Sequence, residues 1–180
     1  MLDHVNGYTL FDTAIGTCGI AWSGVGVVAF ELPEATAADT EDRLRRVHRA
    51  AQQQPTPEIE RAISAIVAHL DGSADDLRWI PLDLRRVTDF DRNVYAVTRD
   101  IDPGRTLTYG DVADLLELRG AAQAVGQSLG RNPIPLIVPC HRVLAAGNEL
   151  RGFSAPGGTG TKRRLLAIEH APGFDDPVLF

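Results

Sequence analysis

The sequence predicts a mixed α/β (α+β) chain of two domains, an N-terminal β-meander with helices over residues 1–86 and a helical second domain over 87–180. Three observations carry this. Glycine-punctuated apolar and β-branched runs fill Tyr8 to Leu32. Capped helical patterns lie on either side of a connector near Asp83 to Val87, and two short helical patterns meet at Arg119-Gly120.

In the first run, Ile20-Ala21-Trp22 and Val25-Gly26-Val27-Val28-Ala29-Phe30 flank a tight Ser23-Gly24 turn, so a meander is the simplest arrangement. Thr36 to Gln53 is charged and alanine-rich, with Leu44 and Val47 on one face of a surface helix that Pro55 and Pro57 break. Thr56 is placed to cap the next helix with Pro57 at its first position. Ile59, Ile63, Ile66, Val67 and Leu70 then recur at helical spacing until Gly72, a core stripe. Leu77 to Leu84 reads as a strand or an extended connector.

Thr88 with Asp91 resembles a capping box, and Phe90, Val94, Val97 and Ile101 form the buried face of a helix that stops at Pro103-Gly104. A second such pair, Thr108 with Asp111, opens a helix whose Val112, Leu115 and Leu116 face inward. Arg119-Gly120 turns the chain into a helix over Ala121 to Gly130, where Ala122, Val125 and Leu129 pack and Ala121, Gln123, Ala124, Gln127 and Ser128 face outward. Two short helices joined by a glycine turn are a helix-turn-helix signal. Small and amide side chains on the outer face let such a helix approach a polynucleotide closely, although an ordinary polar surface has the same composition.

The net charge of -6 argues at first against a nucleic-acid partner. Its distribution reverses that. Residues 1–103 carry 17 acidic against 10 basic side chains, whereas residues 104–170 carry 8 basic against 5 acidic. No apolar run is long enough to cross a bilayer, and MLDHVNG lacks a signal pattern, so a cytoplasmic protein with no membrane partner is expected. Cys18 and Cys140 make no disulfide framework, and no Cys/His spacing suggests zinc. Cys18 lacks a charged neighbour and reads as packing. His4, His48, His69 and His170 read as surface or satisfied core histidines.

The stretch Asn132-Pro133-Ile134-Pro135-Leu136-Ile137-Val138-Pro139-Cys140-His141-Arg142-Val143 is where chemistry concentrates. A thiol reacts as its thiolate, and an adjacent base or cation favours that form. His141 and Arg142 supply both kinds of group. A free cysteine also packs as a small hydrophobe, so Cys140 at the end of a buried strand is the plain alternative. Pro133, Pro135 and Pro139 favour a site, because they set a rigid, non-helical approach that holds the following side chains in place.

Pro139 to Val143, the preceding Asn132-Pro133, Thr108-Tyr109-Gly110-Asp111-Val112-Ala113, Gly152-Phe153-Ser154 and Lys162 to Glu169 together resemble the O6-alkylguanine-DNA alkyltransferases. The resemblance runs from about Thr88 to Glu169. It implies a winged-helix-like helix-turn-helix second domain that binds double-stranded DNA through the minor groove and turns an O6-alkylguanine out of the duplex. The alkyl group would then pass irreversibly to a cysteine, without metal or cofactor, each molecule acting once and as a monomer. Cys140 matches the acceptor, His141 the base that activates it through a water, and Glu169 the carboxylate that orients the histidine. Tyr109 matches the proton donor to the leaving guanine, and Asn132 the link between recognition helix and active-site segment. Pro135 and Val143 match pocket positions, Ser154 a loop contacting O6, and Lys162 a residue near that loop. Ala121, Gln123, Ala124, Gln127 and Arg131 are the expected DNA-binding residues, and Arg142 is expected to be structural.

Two departures from the family stand out. Gln123 occupies the position of the usual arginine finger, which fills the stack after base extrusion, and this predicts weaker extrusion from intact duplex. The binding-site loop Phe153 to Gly160 looks longer, with consequences for alkyl size. Two other functions fit parts of the pattern: a lesion-binding protein that does not repair, disfavoured by Cys140, and a multiple-turnover cysteine hydrolase, for which no oxyanion site is visible.

Overall fold

A computed structural model describes residues 5–48 and 50–175. The chain forms two compact units, Met1–Arg86 and Val87–Phe180. No helix among the described residues is long and apolar enough to cross a membrane.

In the first unit, β1 (Gly7–Thr13), β2 (Gly16–Trp22) and β3 (Val27–Glu31) form an antiparallel meander in the order β1-β2-β3. β3 starts at Val27 rather than Val25, because the Ser23 hydroxyl accepts the Val25 N–H at 3.1 Å and keeps Val25 in an exposed turn. Residues 51–53 add an edge to β1: Tyr8 N–H donates to the Ala51 carbonyl and Gln53 N–H to the Tyr8 carbonyl, at 3.2 and 3.0 Å.

Helix α1 (Ala37–His48) places Leu44 in one apolar cluster with Tyr8, Ala21 and Ala29, so its inner face belongs to the core. His4 and the side chains of Val47 and His48 lie outside the described residues. Helix α2 (Pro57–Leu70) has the expected start, with Thr56 as N-cap and Pro57 in its first turn, and buries Ile59, Ile66 and Leu70. His69 is a satisfied core histidine, its Nδ1 accepting the Asp75 N–H at 3.3 Å. Leu77 to Leu84 is a turn-rich connector in which Leu82 bridges Val27 of the sheet.

The second unit contains α3 (Asp89–Arg99), β4 (Leu107–Thr108), α4 (Tyr109–Leu115), α5 (Ala122–Gly130), a 3-10 turn at Cys140–Arg142, β5 (Val143–Leu144) and α6 (Gly158–Ile168). α3 ends at Arg99, earlier than Pro103-Gly104, and Asp100 caps it through its N–H. Its buried face is Asp91, Val94, Tyr95 and Thr98, while Phe90 and Val97 are only half-buried. Thr88 accepts the Asp91 N–H, but the Asp91 carboxylate turns to Arg131, so only half of that capping box forms. The Thr108 and Asp111 box is complete: each side chain accepts the other's backbone N–H.

α4 and α5 pack as the expected helix-turn-helix pair. The inward stripe of α4 is Val112 and Ala113, with Leu116 half-buried at its cap. Leu115 is 62% exposed, contrary to expectation, because a seven-residue helix presents only one narrow face to the core. On α5, Ser128 is buried, also contrary to expectation, since α3 covers that side of the helix as well: the Tyr95 hydroxyl donates to the Ser128 carbonyl at 3.0 Å. β4 and β5 pair in parallel, Leu107 opposite Val143 and Thr108 opposite Leu144. This short ladder joins the start of the helix pair to the segment that follows Cys140.

Candidate active site

The approach to Cys140 is held by Asn132. Its Nδ2 donates to the Val138 carbonyl at 2.9 Å and its Oδ1 accepts the Ile134 N–H at 3.0 Å, closing a loop whose Ile134, Leu136, Ile137 and Val138 are all buried. Leu136 takes φ +73 at the apex, a left-handed conformation disfavoured for a leucine and kept by the packing around it. The segment is non-helical, as its three prolines require. It delivers Cys140 as the first residue of the 3-10 turn and not as the end of a strand.

Burial pushes the Cys140 thiol up from its ordinary value. A hydrogen bond from Asn132, the positive charge of Lys162 and the backbone N–H groups of Cys140 and His141 pull the other way without cancelling it. The resting thiol is therefore protonated at neutral pH.

His141 and Arg142 converge on Glu169, the residue that ends α6. His141 Nε2 lies 2.9 Å from Glu169 Oε1, Arg142 Nη2 lies 2.8 Å from the same oxygen, and Arg142 Nε reaches Oε2 at 3.0 Å. All three side chains are buried. Arg142 Nη1 also donates to the Ile101 carbonyl just after α3. Gly104, at φ +76, brings the backbone of that loop so close to the Glu169 carbonyl that an added Cβ would lie 2.8 Å from its oxygen. The expectation that Arg142 is structural fits this geometry, since it sits beneath the histidine and carboxylate. What the sequence does not reveal is that it clamps the carboxylate that hydrogen-bonds His141.

Lys162, the only lysine in the chain, is fully buried on α6. Its Nζ donates to the Val143 carbonyl at 2.6 Å and to the Arg151 carbonyl at 3.3 Å, and lies 5.7 and 6.0 Å from the ring centroids of Tyr109 and Phe153. Burial lowers it to about 8, opposed by the attraction of Cys140. Tyr109 is pushed up by burial and then by Cys140, which keeps the phenol protonated, and its hydroxyl donates to the Arg151 carbonyl at 3.2 Å. Ser154 ties the far side of the loop to α5 by donating to the Gly130 carbonyl at 2.9 Å. The expected loop from Phe153 to Gly160 is shorter than that. Gly157 at φ +78 caps α6, and residues from Gly158 onward are helical.

Val143 is buried and Pro135 half-buried beside this group. On α5, Gln123 and Gln127 are exposed, with Ala124 between them and the N-cap Ala121 half-exposed. Arg131 is 58% exposed but already engaged, its Nη2 donating to Asp91 at 2.7 Å. Burial raises the Asp91 carboxyl, yet the bonds from Thr88 and Arg131 help hold it below the usual range. Among the described residues no cluster of three or more His, Cys, Asp or Glu is placed to hold a metal.

The profile of a family described as 6-O-methylguanine DNA methyltransferase, DNA binding domain, matches residues 89–171. A methylated-DNA-protein-cysteine methyltransferase of Mycobacterium tuberculosis is 34% identical over 174 residues, covering 96% of this chain and 98% of that one. One from Methanothermobacter thermautotrophicus is 33% identical over 151 residues, covering 84% and 78%. Among solved structures, the Mycobacterium tuberculosis O6-methylguanine methyltransferase superposes with a TM-score of 0.74 at 32% identity, covering 93% of this chain and 95% of that one. The Mycobacterium tuberculosis OGT in complex with DNA superposes at 0.72 with 33% identity, covering 93% and 96%.

Proposed function

This chain belongs to the methylated-DNA-protein-cysteine methyltransferase family, and we propose that Cys140 is the cysteine through which it acts. The protein is a DNA-repair alkyltransferase that moves a methyl or other alkyl group from O6-alkylguanine in DNA onto its own thiol. The single observation that carries the assignment to Cys140 is its position: a buried thiol directly preceding the histidine that Glu169 orients.

The chemistry follows from the surroundings. A carboxylate only accepts, so Glu169 makes Nε2 the N–H of the neutral His141 ring and leaves Nδ1 as its basic nitrogen. Through a bridging water, that nitrogen takes the Cys140 proton. The imidazolium so formed is stabilised by Glu169, as in other base and carboxylate relays. The thiolate attacks the alkyl carbon, the carbon to O6 bond breaks, and its electron pair leaves with the guanine. Tyr109 supplies the proton that the leaving guanine needs. To do so its hydroxyl exchanges the Arg151 carbonyl for the base. The thioether has no leaving group that water can displace, so each molecule reacts once.

A buried thiol cannot meet a stacked base, which supports extrusion of the nucleotide into the space bounded by Pro135, Val143 and the Ser154 loop. The small Ala121 and Ala124 beside the exposed Gln123 and Gln127 suit α5 to close approach in the minor groove of double-stranded DNA. All the groups named come from one chain, which supports a monomer. A reactive thiol supports a reducing, cytoplasmic setting. Residues 87–180 thus form the DNA-binding and alkyl-acceptor domain, and residues 1–86 a supporting α/β domain.

The test is intact-protein mass after incubation with duplex DNA carrying O6-methylguanine, with Cys140→Ser alongside. One added methyl per molecule, absent from the serine variant, is expected. Binding without mass change would replace this assignment with that of a lesion sensor.

A further inference from the structure

Helix α5 carries no charge of its own, since Ala122–Gly130 holds neither an acidic nor a basic side chain. A phosphate drawn to this helix has to be held from its ends. At the C-terminal end the last carbonyls present partial negative charge, which repels a phosphate unless a cation offsets it. Arg131, the residue that caps α5, is a cation in that place. Its neighbours set it at the edge of the reaction site: the Gly130 carbonyl accepts the Ser154 hydroxyl of the substrate loop, and Asn132 closes the approach to Cys140.

The guanidinium is already taken in the free protein. Arg131 Nη2 lies 2.7 Å from Asp91 Oδ1, in a pair whose arginine is 58% exposed and whose aspartate is 7% exposed. That asymmetry decides which partner can move. Arg131 spends a single N–H on the bond and keeps most of its side chain in water. Asp91 is anchored. Burial acts to raise its carboxyl, and the Ser128 and Thr88 hydroxyls join Arg131 in holding it below the usual range. The Ser128 hydroxyl is buried and has no other partner among the described residues. Two hydroxyl donors therefore stay beside the carboxylate when the guanidinium leaves, so the pair can open without stranding a buried charge.

We infer that Asp91 restrains Arg131 in the free protein and yields it to a DNA phosphate, so that this carboxylate sets how strongly α5 holds duplex DNA. The inference rests on the reading that α5 faces DNA. Carboxylate and phosphate compete for the same guanidinium donors. Neutralising Asp91 should thus strengthen binding, whereas losing a bond that only builds the fold weakens it.

Asp91→Asn keeps the shape of the side chain and the helix start, where Thr88 accepts the backbone N–H of residue 91. Half-saturation with an unmodified duplex oligonucleotide, read by fluorescence anisotropy, should fall by about threefold or more. Arg131→Gln should weaken binding and reduce the slope of log affinity against log salt by about 0.9, the loss of one phosphate contact. In the double variant the gain should vanish, leaving affinity within twofold of Arg131→Gln alone. A gain that survives in the double variant makes Asp91 a long-range charge, and no gain from Asp91→Asn makes it a part of the fold; either overturns the inference. An unchanged salt slope in Arg131→Gln also overturns it, and needs no Asp91 variant to fold. Gln127→Glu reads the underlying assignment separately, because a carboxylate on the face of α5 should weaken duplex binding fivefold or more. If Gln127→Glu and Arg131→Gln are both without effect, the DNA face is not α5 and the inference falls with it; if Gln127→Glu alone weakens binding, only the inference falls.

Discussion

Arg142 grips Glu169 through two nitrogens, at 2.8 and 3.0 Å, with both side chains almost wholly removed from solvent. The carboxylate hydrogen-bonded to His141 is therefore also held by a guanidinium, which reaches back to Ile101.

Removing that guanidinium takes two charge-assisted hydrogen bonds away from a buried carboxylate. Arg142→Met is expected to cost about 3–5 kcal/mol of unfolding free energy, the usual penalty for breaking a buried ion pair from one side. Urea denaturation measures it. A cost under about 1 kcal/mol would mean that the second unit rearranges to solvate Glu169.

The thiol is raised by burial and partly brought back by Asn132. Transfer at saturating DNA should thus climb with pH from 7 towards 9 as the thiolate fraction grows. Asn132→Ala removes one lowering influence, so its profile should move to higher pH, with about a tenfold lower rate at pH 7 for each unit of displacement. Rates that fall equally at every pH would assign Asn132 to loop geometry alone.

Cys18 is a buried thiol of a different kind, raised by burial to about 12 with Thr13 weakly opposing. Because the folded value lies above the unfolded value of about 8.5, the native state holds this proton longer and its contribution to stability is full below that pH. It is lost as pH rises towards 12. The stability of wild type relative to Cys18→Ala should fall by up to about 1.4 kcal/mol per pH unit between pH 9 and 11, read by urea unfolding. Cys140 titrates in both proteins and cancels. A flat difference would show that the thiol ionises equally in both states.

Gln123 is exposed on α5, where a side chain that enters the base stack has to start. Glutamine hydrogen-bonds an orphaned base but brings no charge and no guanidinium plane. Gln123→Arg is expected to speed repair of duplex substrate several-fold while leaving single-stranded substrate within twofold. Parallel single-turnover rates on the two substrates decide this, and no gain on duplex would remove the residue from the extrusion step.

Much of this protein is local enough to be legible in one dimension. Thr108 and Asp111 cap α4 because the box needs only a three-residue spacing. The meander follows from glycine turns between β-branched runs, and three prolines keep the chain before Cys140 out of a helix. Asp91 shows the limit of such signals. Its spacing from Thr88 is right for a box, yet Arg131, 40 residues away, takes its carboxylate.

The order of residues alone determined the rigid, non-helical approach to Cys140, the helix pair and the two-part organisation, since each depends on neighbours in sequence. Tertiary structure alone decided which side of α4 and α5 is covered, exposing Leu115 and burying Ser128. It also made Arg142 the partner of Glu169 across 27 residues and put the chain's single lysine between two carbonyls. The reason is physical: periodicity specifies a face but not its covering, and a buried charge takes whatever partner the fold brings within about 3 Å.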